Sequence, residues 1–370
     1  MNILLIVPLP PPVTGHSVVS QVLVNGLAQT HETVVVNLSV ESLHDGRITA
    51  RRVREVGRVL LAVWRNRGWA DAIYLTISES RAGNLKDIVI YLLCAGRLNR
   101  LFIHLHGGTI GRALFDHHPV ARKVNAWFIR RLAGVIISGP SHVEIFKDMI
   151  DRKRIHIVQN SVDDGLFLGE RDVIGKFADS RPLRVLYLSA MTGEKGCFDL
   201  LQGWLALDRD ARSRISLDFA GRFETDTDRR AFLERIADVE GAVYHGLVDP
   251  QHKRRLFAQA HVFCLPTRMF EGQPISILEA YASGCAVVAT GQRGIRDIFT
   301  DGVNGFEVSE RSPASIARTL VRAADDLHTV RRMALENWRV AGERYRPGTF
   351  VSALSGILES VSTAGRLAHV

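Results

Sequence analysis

Residues 269–290 read MFEGQPISILEAYASGCAVVAT. Glu271 and Glu279 stand eight positions apart, with Gly272, Gln273 and Pro274 following the first of them. Proline is favoured at the first position of a helix and glycine just past its end, so the spacing predicts a short helix from Pro274 to near Gly284. The apolar run HVFCLPT before it and AVVAT after it read as strands. A strand, a loop, a short helix and another strand make one unit of a parallel sheet.

The free N–H groups at the mouth of this helix, around Gln273 to Ser276, suit a diphosphate. Glu271 precedes the helix on the loop. Glu279 lies about 7–8 Å along the axis from Pro274, at a rise of about 1.5 Å per residue. A carboxylate there can accept two hydrogen bonds from a vicinal diol such as a ribose. Anion, diol and sugar hydroxyls at successive depths describe a nucleotide sugar.

Outward from this stretch, strands and helices alternate along the whole chain. Strand candidates are residues 2–7, 33–37, 72–77, 101–106, 134–138 and 156–158, then 183–188, 216–220, 242–245, 262–265, 286–289 and 305–308. Helical patterns fall near 17–29, 51–67, 84–97, 119–132 and 141–150, and near 197–207, 228–238, 251–259, 275–283 and 293–299. The rhythm breaks at 160–182, NSVDDGLFLGERDVIGKFADSRP, which reads as a polar linker. The expected fold class is α/β, with two Rossmann-like, doubly wound parallel-sheet domains facing a central cleft. The expected divisions are an acceptor-side domain over 1–165, a donor-binding domain over 166–350, and a tail over 351–370 that returns to the first domain.

The chain has 370 residues, 46% of them hydrophobic, ample for two cores. Its four cysteines have no metal-ligand or CxxC spacing and read as small core residues in a reducing compartment. The start, MNILLIVPLPPP, is too short to span a bilayer and lacks a basic leader, so a cytosolic address is expected. Net charge is +8, and seven arginines (47, 51, 52, 54, 58, 65, 67) crowd into 47–67 against one acid, Glu55. Val53, Val56, Leu60, Val63 and Trp64 recur there at helical spacing. This basic amphipathic helix reads first as docked on its own domain with a solvated arginine face. Its second reading is a surface for an anionic membrane or an anionic lipid-linked substrate, supported by a second basic helix, PVARKVNAWFIRRL. Nucleic acid ranks below both, since no nucleic-acid motif accompanies the charge.

Two further loops carry chemistry. After the first strand, PLPPPVTGHS leads into a helix, with Ser17 as its expected cap. Gly15 there leaves backbone N–H groups open to an anion. A single glycine is not the dinucleotide fingerprint, which sets nicotinamide and flavin aside. After strand 183–188, Lys195 stands between Gly193 and Gly196 at a helix entrance, placed to meet a phosphate. Asp226-Thr227-Asp228 matches a metal-binding triplet but reads as a helix cap before RRAFLERIADV, where an aspartate is the expected capping residue. No HExxH or His/Cys cluster is present, so no metal and no cofactor is expected. His104 and His106 alternate on LFIHLHGG. Only one is expected to face the cleft, on the ground that strand side chains alternate between faces, and His106 is the choice.

EGQPISILEAYASGCAVVAT resembles the E-x7-E signature of the retaining GT-B glycosyltransferases of glycosyltransferase family 4. PPPVTGHS resembles that family's amino-terminal glycine loop and HGG at 106–108 its acceptor-side motif. QNSVD at 159–163 resembles the interdomain segment, YLSAMTGEKG the phosphate loop, and GQRGIRDIFTDGVNGFEV the block after the signature. The resemblance implies metal-independent transfer of a hexose from a UDP- or GDP-sugar with retained configuration, by front-face substitution. It implies that Glu279 holds the ribose diol, and that Glu271, Gly272, Gln273, Pro274 and Ser276 meet the sugar and diphosphate. Lys195 would neutralise the diphosphate, Gly15 and His16 would meet the leaving group, and His106 would sit at the reacting carbon. The implied acceptor is a polyprenyl-diphosphate-linked saccharide at the inner face of the plasma membrane, in cell-surface polysaccharide synthesis. Three departures stand out: His16 replaces a glycine, Ala190 an arginine, and Asp297 a glutamate. A nucleotide-binding scaffold without activity and a nucleotide-sugar epimerase are the alternatives.

Overall fold

The structure, a computed structural model, describes residues 1–39, 50–178, 182–237 and 239–367. Arg47 of the basic stretch, residues 179–181 of the expected linker and the last three residues lie outside these.

Twelve strands form two sheets, every ladder of them parallel. The first contains β1 (Asn2–Val7), β2 (Glu32–Asn37), β3 (Ala72–Thr76), β4 (Leu101–Leu105), β5 (Gly134–Ile137) and β6 (Ile155–Ile157). The second contains β7 (Leu183–Leu188), β8 (Ile215–Ala220), β9 (Ala242–Tyr244), β10 (Val262–Leu265), β11 (Ala286–Ala289) and β12 (Gly305–Glu307). Each starts and ends close to where the apolar runs place it. Runs such as NILLIV and AVVA are buried on both faces, as a parallel sheet covered by helices on each side requires.

The chain divides into two compact units. One holds Met1–Ser161, the turn Glu271–Gln273 and the stretch from Pro347; the other holds Val162–Phe270 and Pro274–Arg346. The turn Glu271–Gln273, expected in the donor domain, thus groups with the first unit. The expected linker is not all linker: Glu170–Gly175 forms a helix of the second unit.

In the first unit the strand order is β2-β1-β3-β4-β5-β6. The connections β2→β3, β3→β4 and β4→β5 all step the same way along the sheet. Right-handed crossovers therefore lay the helices Ala50–Asn66, Arg81–Leu93 and Pro119–Ile129 side by side on one face. Packing of the first two, reciprocal amide bonds of 3.0 Å between Asn84 and Asn125, and a 5.4 Å ring contact of Tyr91 with Phe128 tie this layer together. Beneath it is an apolar core that includes Leu4, Ile6, Leu75, Ile103 and Ile137. The connection β1→β2 steps the other way, so the helix Gly15–Leu27 covers the opposite face, where the helix Pro347–Leu367 packs against it. A Cβ on Gly26 would come 2.5 Å from Val351, so the glycine sets how closely these helices approach. Phe350, Leu354 and Leu358, spaced by four, are the buried stripe of the last helix.

The second sheet runs β9-β8-β7-β10-β11-β12, the order 3-2-1-4-5-6 of nucleotide-binding folds. Its core gathers Trp204, Phe219, Phe232, Phe263, Tyr281 and Tyr345, all buried. The four cysteines are free and buried, as expected.

Leu354→Ala should remove a fully buried side chain and destabilise the first unit by about 2–4 kcal/mol. Amide exchange in the helix Gly15–Leu27 should rise in parallel; unchanged protection there would show that the last helix is not part of this core.

Candidate active site

Open parallel sheets bind ligands beyond the carboxyl ends of their strands, where the strand order reverses. In the second unit that point lies between β7 and β10. The loop after β7 carries Lys195, and the loop after β10 leads to the Gln-Pro start of the signature helix. Gly196 has φ +83, and a Cβ on it would sit 2.3 Å from the Pro266 carbonyl oxygen, so only glycine lets the two loops touch. Arg268 donates its N–H to the Glu194 carbonyl at 2.7 Å. Its guanidinium forms a salt bridge with buried Asp199 at 2.6 Å. The phosphate-type loop is thereby braced from below by a charge-assisted pair that the sequence did not reveal.

The signature helix spans Ile275–Ala282, with Pro274 as its N-cap in extended geometry rather than its first residue. Ser276 is half-buried in its first turn. Gly284, at φ +61, ends it as predicted. Lys176 Nζ donates to the carbonyls of Ala260 and Ser283 at 2.8 and 2.6 Å. One buried ammonium thus caps the carboxyl ends of two helices, Pro250–Gln259 and Ile275–Ala282. Glu279 is 5% exposed and forms an ion pair with Lys253 of the neighbouring helix. Burial pushes the Glu279 carboxyl up and the Lys253 ammonium pulls it back. Lys253 was not among the residues singled out from the sequence, because only the packing of the two helices brings it to Glu279.

In the first unit the order reverses between β1 and β3. The loops there carry Gly15 and His16 after β1 and Glu79 after β3; His106 follows β4 alongside. The helix cap is Thr14, not Ser17: Thr14 Oγ1 accepts from Ser17 N at 3.1 Å, while Ser17 Oγ accepts from Thr14 N at 2.9 Å. Gly15 is then the first helical residue and exposed, and His16 the second.

The histidines correct the sequence reading. Residues two apart on a strand share a face, so His104 and His106 point the same way. Their rings stack at 3.8 Å and 28°, and His16 lies on His106 at 4.3 Å and 37°. Tyr74 on β3 hydrogen-bonds Nδ1 of His104. Asn160 Nδ2 donates to the Gln273 carbonyl at 3.2 Å, and Asn160 N donates to Gln273 Oε1 at 2.6 Å. That fixes Asn160 Oδ1 as the acceptor facing His106 Nδ1, 3.2 Å away. His106 therefore carries its proton on Nδ1 and leaves Nε2 with a lone pair. Burial, with the neighbouring imidazoles, holds His106 well below the ordinary histidine range; His104 falls to about 3 and His16 to about 4 for the same first reason.

The glycines of this region are dictated by close approach. A Cβ on Gly272 would lie 2.0 Å from the His106 carbonyl oxygen, and one on Gly107 would lie 1.7 Å from Glu79 Oε2. Glu79 Oε1 accepts from the backbone N–H of Thr109 and Ile110, at 2.5 and 2.9 Å, and so holds the loop after His106. Glu271 is half-buried at the head of the turn.

The Asp-Thr-Asp triplet begins the helix Asp226–Ile236. Its cap is Thr225 rather than an aspartate, accepting from Asp228 N at 3.0 Å. Among the described residues no group of three or more His, Cys, Asp or Glu is placed to hold a metal ion.

These features meet a known pattern. Residues 182–326 match the family model described as glycosyl transferases group 1. That match covers the second unit's switch-point loops and signature helix. The phosphatidyl-myo-inositol mannosyltransferase of Mycobacterium leprae is 25% identical over 197 residues, 53% of this chain and 48% of that protein. The lipopolysaccharide 1,2-N-acetylglucosaminetransferase of Salmonella typhimurium is 26% identical over 150 residues, 38% and 39% of the two chains. This chain thus matches less than half the length of these curated relatives. The crystal structure of Anabaena HepE in complex with UDP and glucose superposes with TM-score 0.73 at 15% identity, covering 97% of this chain and 100% of that one. The fold is GT-B, two Rossmann-like parallel-sheet domains, as the sequence predicts.

Lys253→Met would strand the Glu279 carboxylate in a buried site and should destabilise the second unit by about 3–5 kcal/mol. Lys253→Met with Glu279→Gln should recover most of that loss in thermal unfolding. Equal destabilisation of single and double variants would show that the pair is not coupled.

Proposed function

We propose that this chain is a retaining, metal-independent glycosyltransferase of glycosyltransferase family 4. It would move a hexose from a UDP- or GDP-sugar to a lipid-linked saccharide in cell-surface polysaccharide synthesis. The observation that carries the reading is the second unit's switch point. There the braced Lys195 loop, the amino end of the signature helix and the buried Glu279 belong to one sheet's carboxyl edge. The family match over 182–326 supports the same reading, as do the mannosyl- and N-acetylglucosaminyl-transferase names of the relatives.

Each residue then has a task. Lys195 and the N–H groups at Ile275 and Ser276 neutralise the leaving diphosphate, and Glu279 accepts the ribose hydroxyls, with Lys253 offsetting the burial of its carboxylate. Glu271, Gly272 and Gln273 hold the sugar, and Gly15 with His16 borders the leaving group. His106 offers Nε2 as an acceptor for a hydroxyl beside the reacting carbon. The departing phosphate takes the acceptor's proton, so the step relies on positive charge and N–H donors more than on a strong base. No metal and no cofactor enters this reading.

For the membrane, the support is the helical layer of the first unit. Val53, Leu61, Trp64, Leu85, Leu92, Val120, Val124 and Trp127 are all exposed on its three helices. Arg54, Arg58, Arg65, Lys123, Arg130 and Arg131 are exposed beside them. Arg67 stacks on Trp64 at 5.0 Å and Arg131 on Trp127 at 4.0 Å. Half-exposed tryptophans among arginines suit the headgroup boundary of an anionic bilayer, where each basic residue contributes about 1 kcal/mol. No helix among the described residues is long and apolar enough to cross a membrane, so the proposed location is peripheral, at the inner face of the plasma membrane.

Thermal-shift measurements with a panel of UDP- and GDP-sugars should show one donor that raises the melting temperature, because it binds only the native state. Glu279→Gln should weaken that donor about 10-fold or more, the loss of a charge-assisted bond of about 1.5–3 kcal/mol. A folded chain that neither binds nor turns over any donor would end the reading. Separately, the chain should sediment with phosphatidylglycerol-containing vesicles and not with pure phosphatidylcholine. Trp64→Ala with Trp127→Ala should reduce that binding several-fold; equal binding to both vesicles would remove the membrane from the proposal.

A further inference from the structure

His16 is the residue at which this chain departs from the glycine loop that it resembles, and the first unit gives it a definite place. Thr14 and Ser17 cap each other and Ser17 Oγ donates to the Pro12 carbonyl at 2.8 Å, so the helix start that carries His16 is fixed on both sides. From there its ring lies against that of His106, 4.3 Å away and tilted by 37°, while His104 stacks on His106 at 3.8 Å. His104 is fully buried and tethered to Tyr74. His16 is only half-buried and is therefore the outer layer of the stack.

We propose that His16 is a positioning residue: it closes the outer face of His106, so that His106 meets its substrate as a dry, uncharged hydrogen-bond acceptor. This rests on the transferase reading for what the substrate is, but not for the state of the ring. Three observations converge on it. The edge of His106 is set by Asn160 and Gln273, which put the proton on Nδ1 and leave Nε2 as the acceptor. Two uncharged imidazole rings lie against it and keep water from it, and burial disfavours its charged form. Nε2 of both His16 and His104 is buried without a hydrogen-bond partner among the described residues, so neither neighbour offers His106 a compensating bond.

Other ionisable groups surround the three rings. Tyr74 on β3 is engaged with His104. Lys86, from the helix Arg81–Leu93, acts on His16 and disfavours positive charge there. Glu79, after β3, is committed to the N–H groups of Thr109 and Ile110. Glu271 heads the turn whose Gly272 lies against the His106 carbonyl. Burial is the largest influence on the His106 ring.

The sign of the pH effect follows. Covered by His16, His106 is held by burial well below the ordinary histidine range, so a rate that depends on its lone pair persists further into acid. Uncovered, it regains water, so its midpoint rises toward the ordinary value of about 6.5. Only about one tenth of it would then be neutral at pH 5.5, a loss of about 10-fold in kcat that disappears by pH 8.

The test is an NMR titration of the histidine ring nitrogens in the full chain, without substrate, for the wild type, His16→Gly and His16→Phe. We expect His106 to be the Nδ1–H form with a midpoint well below the ordinary histidine value in the wild type and in His16→Phe, whose ring keeps the cover. We expect it to rise by at least about one pH unit in His16→Gly; His16→Ser serves as a second opened variant should the glycine weaken the helix start. A wild-type midpoint near 6.5, or an opened variant that leaves the midpoint where it was, overturns the proposal. With a turned-over donor in hand, kcat of the opened variant should fall more steeply below pH 6.5, relative to its own value at pH 8, than that of the wild type, and the same profile in both would overturn it too. Shifted midpoints in a chain that turns over no donor would sink the transferase reading and leave the role of His16 standing.

Discussion

The handedness of the strand–helix–strand crossover is the constraint on which the rest depends. A right-twisted strand feeding a right-handed helix returns to the sheet on one side only, so the order of strands dictates which helices share a face. In the first unit four connections step one way and one steps the other. That asymmetry puts the basic, tryptophan-bearing helices in a single layer and leaves the opposite face to the helices Gly15–Leu27 and Pro347–Leu367. In each unit it also creates the point where two neighbouring strands send their loops apart, and the loops that carry Lys195 and His16 start from those points.

Once the loops are gathered there, desolvation becomes the dominant force on their side chains. The two units handle it in opposite ways. In the second, a buried carboxylate, Glu279, is matched by a lysine, and a buried lysine, Lys176, is matched by helix carbonyls; charge is kept and compensated. In the first, three imidazoles are pressed together, and burial drives charge out instead.

The glycines tie these environments to the backbone. Gly196, Gly107 and Gly272 stand where a Cβ would collide with a carbonyl or carboxylate oxygen. In each case the neighbour is part of a site: the loop after β10, the Glu79 anchor, and the His106 carbonyl. What reads in the sequence as a set of flexible loops is, in three places, a requirement for contact.

All twelve strands, the helix between Pro274 and Gly284, and the glycine-bounded lysine loop were legible from period and punctuation, because strands buried on both faces write themselves as continuous apolar runs. The caps were read one to three residues off, at Thr14 and Thr225, since several hydroxyl and carboxyl residues compete within one turn and only geometry selects among them. The pairing of His104 with His106 was also within reach, because a spacing of two puts strand side chains on one face; the reading that separated them misapplied that period. Lys253, Arg268, Glu79 and Tyr74 were not legible at all. Each meets its partner across 26 to 69 residues of sequence, Glu279 and Asp199 and Thr109 and His104 respectively. Local pattern therefore determined the elements and their order, whereas the charge state of each functional group was decided by which distant side chains the packing brought beside it.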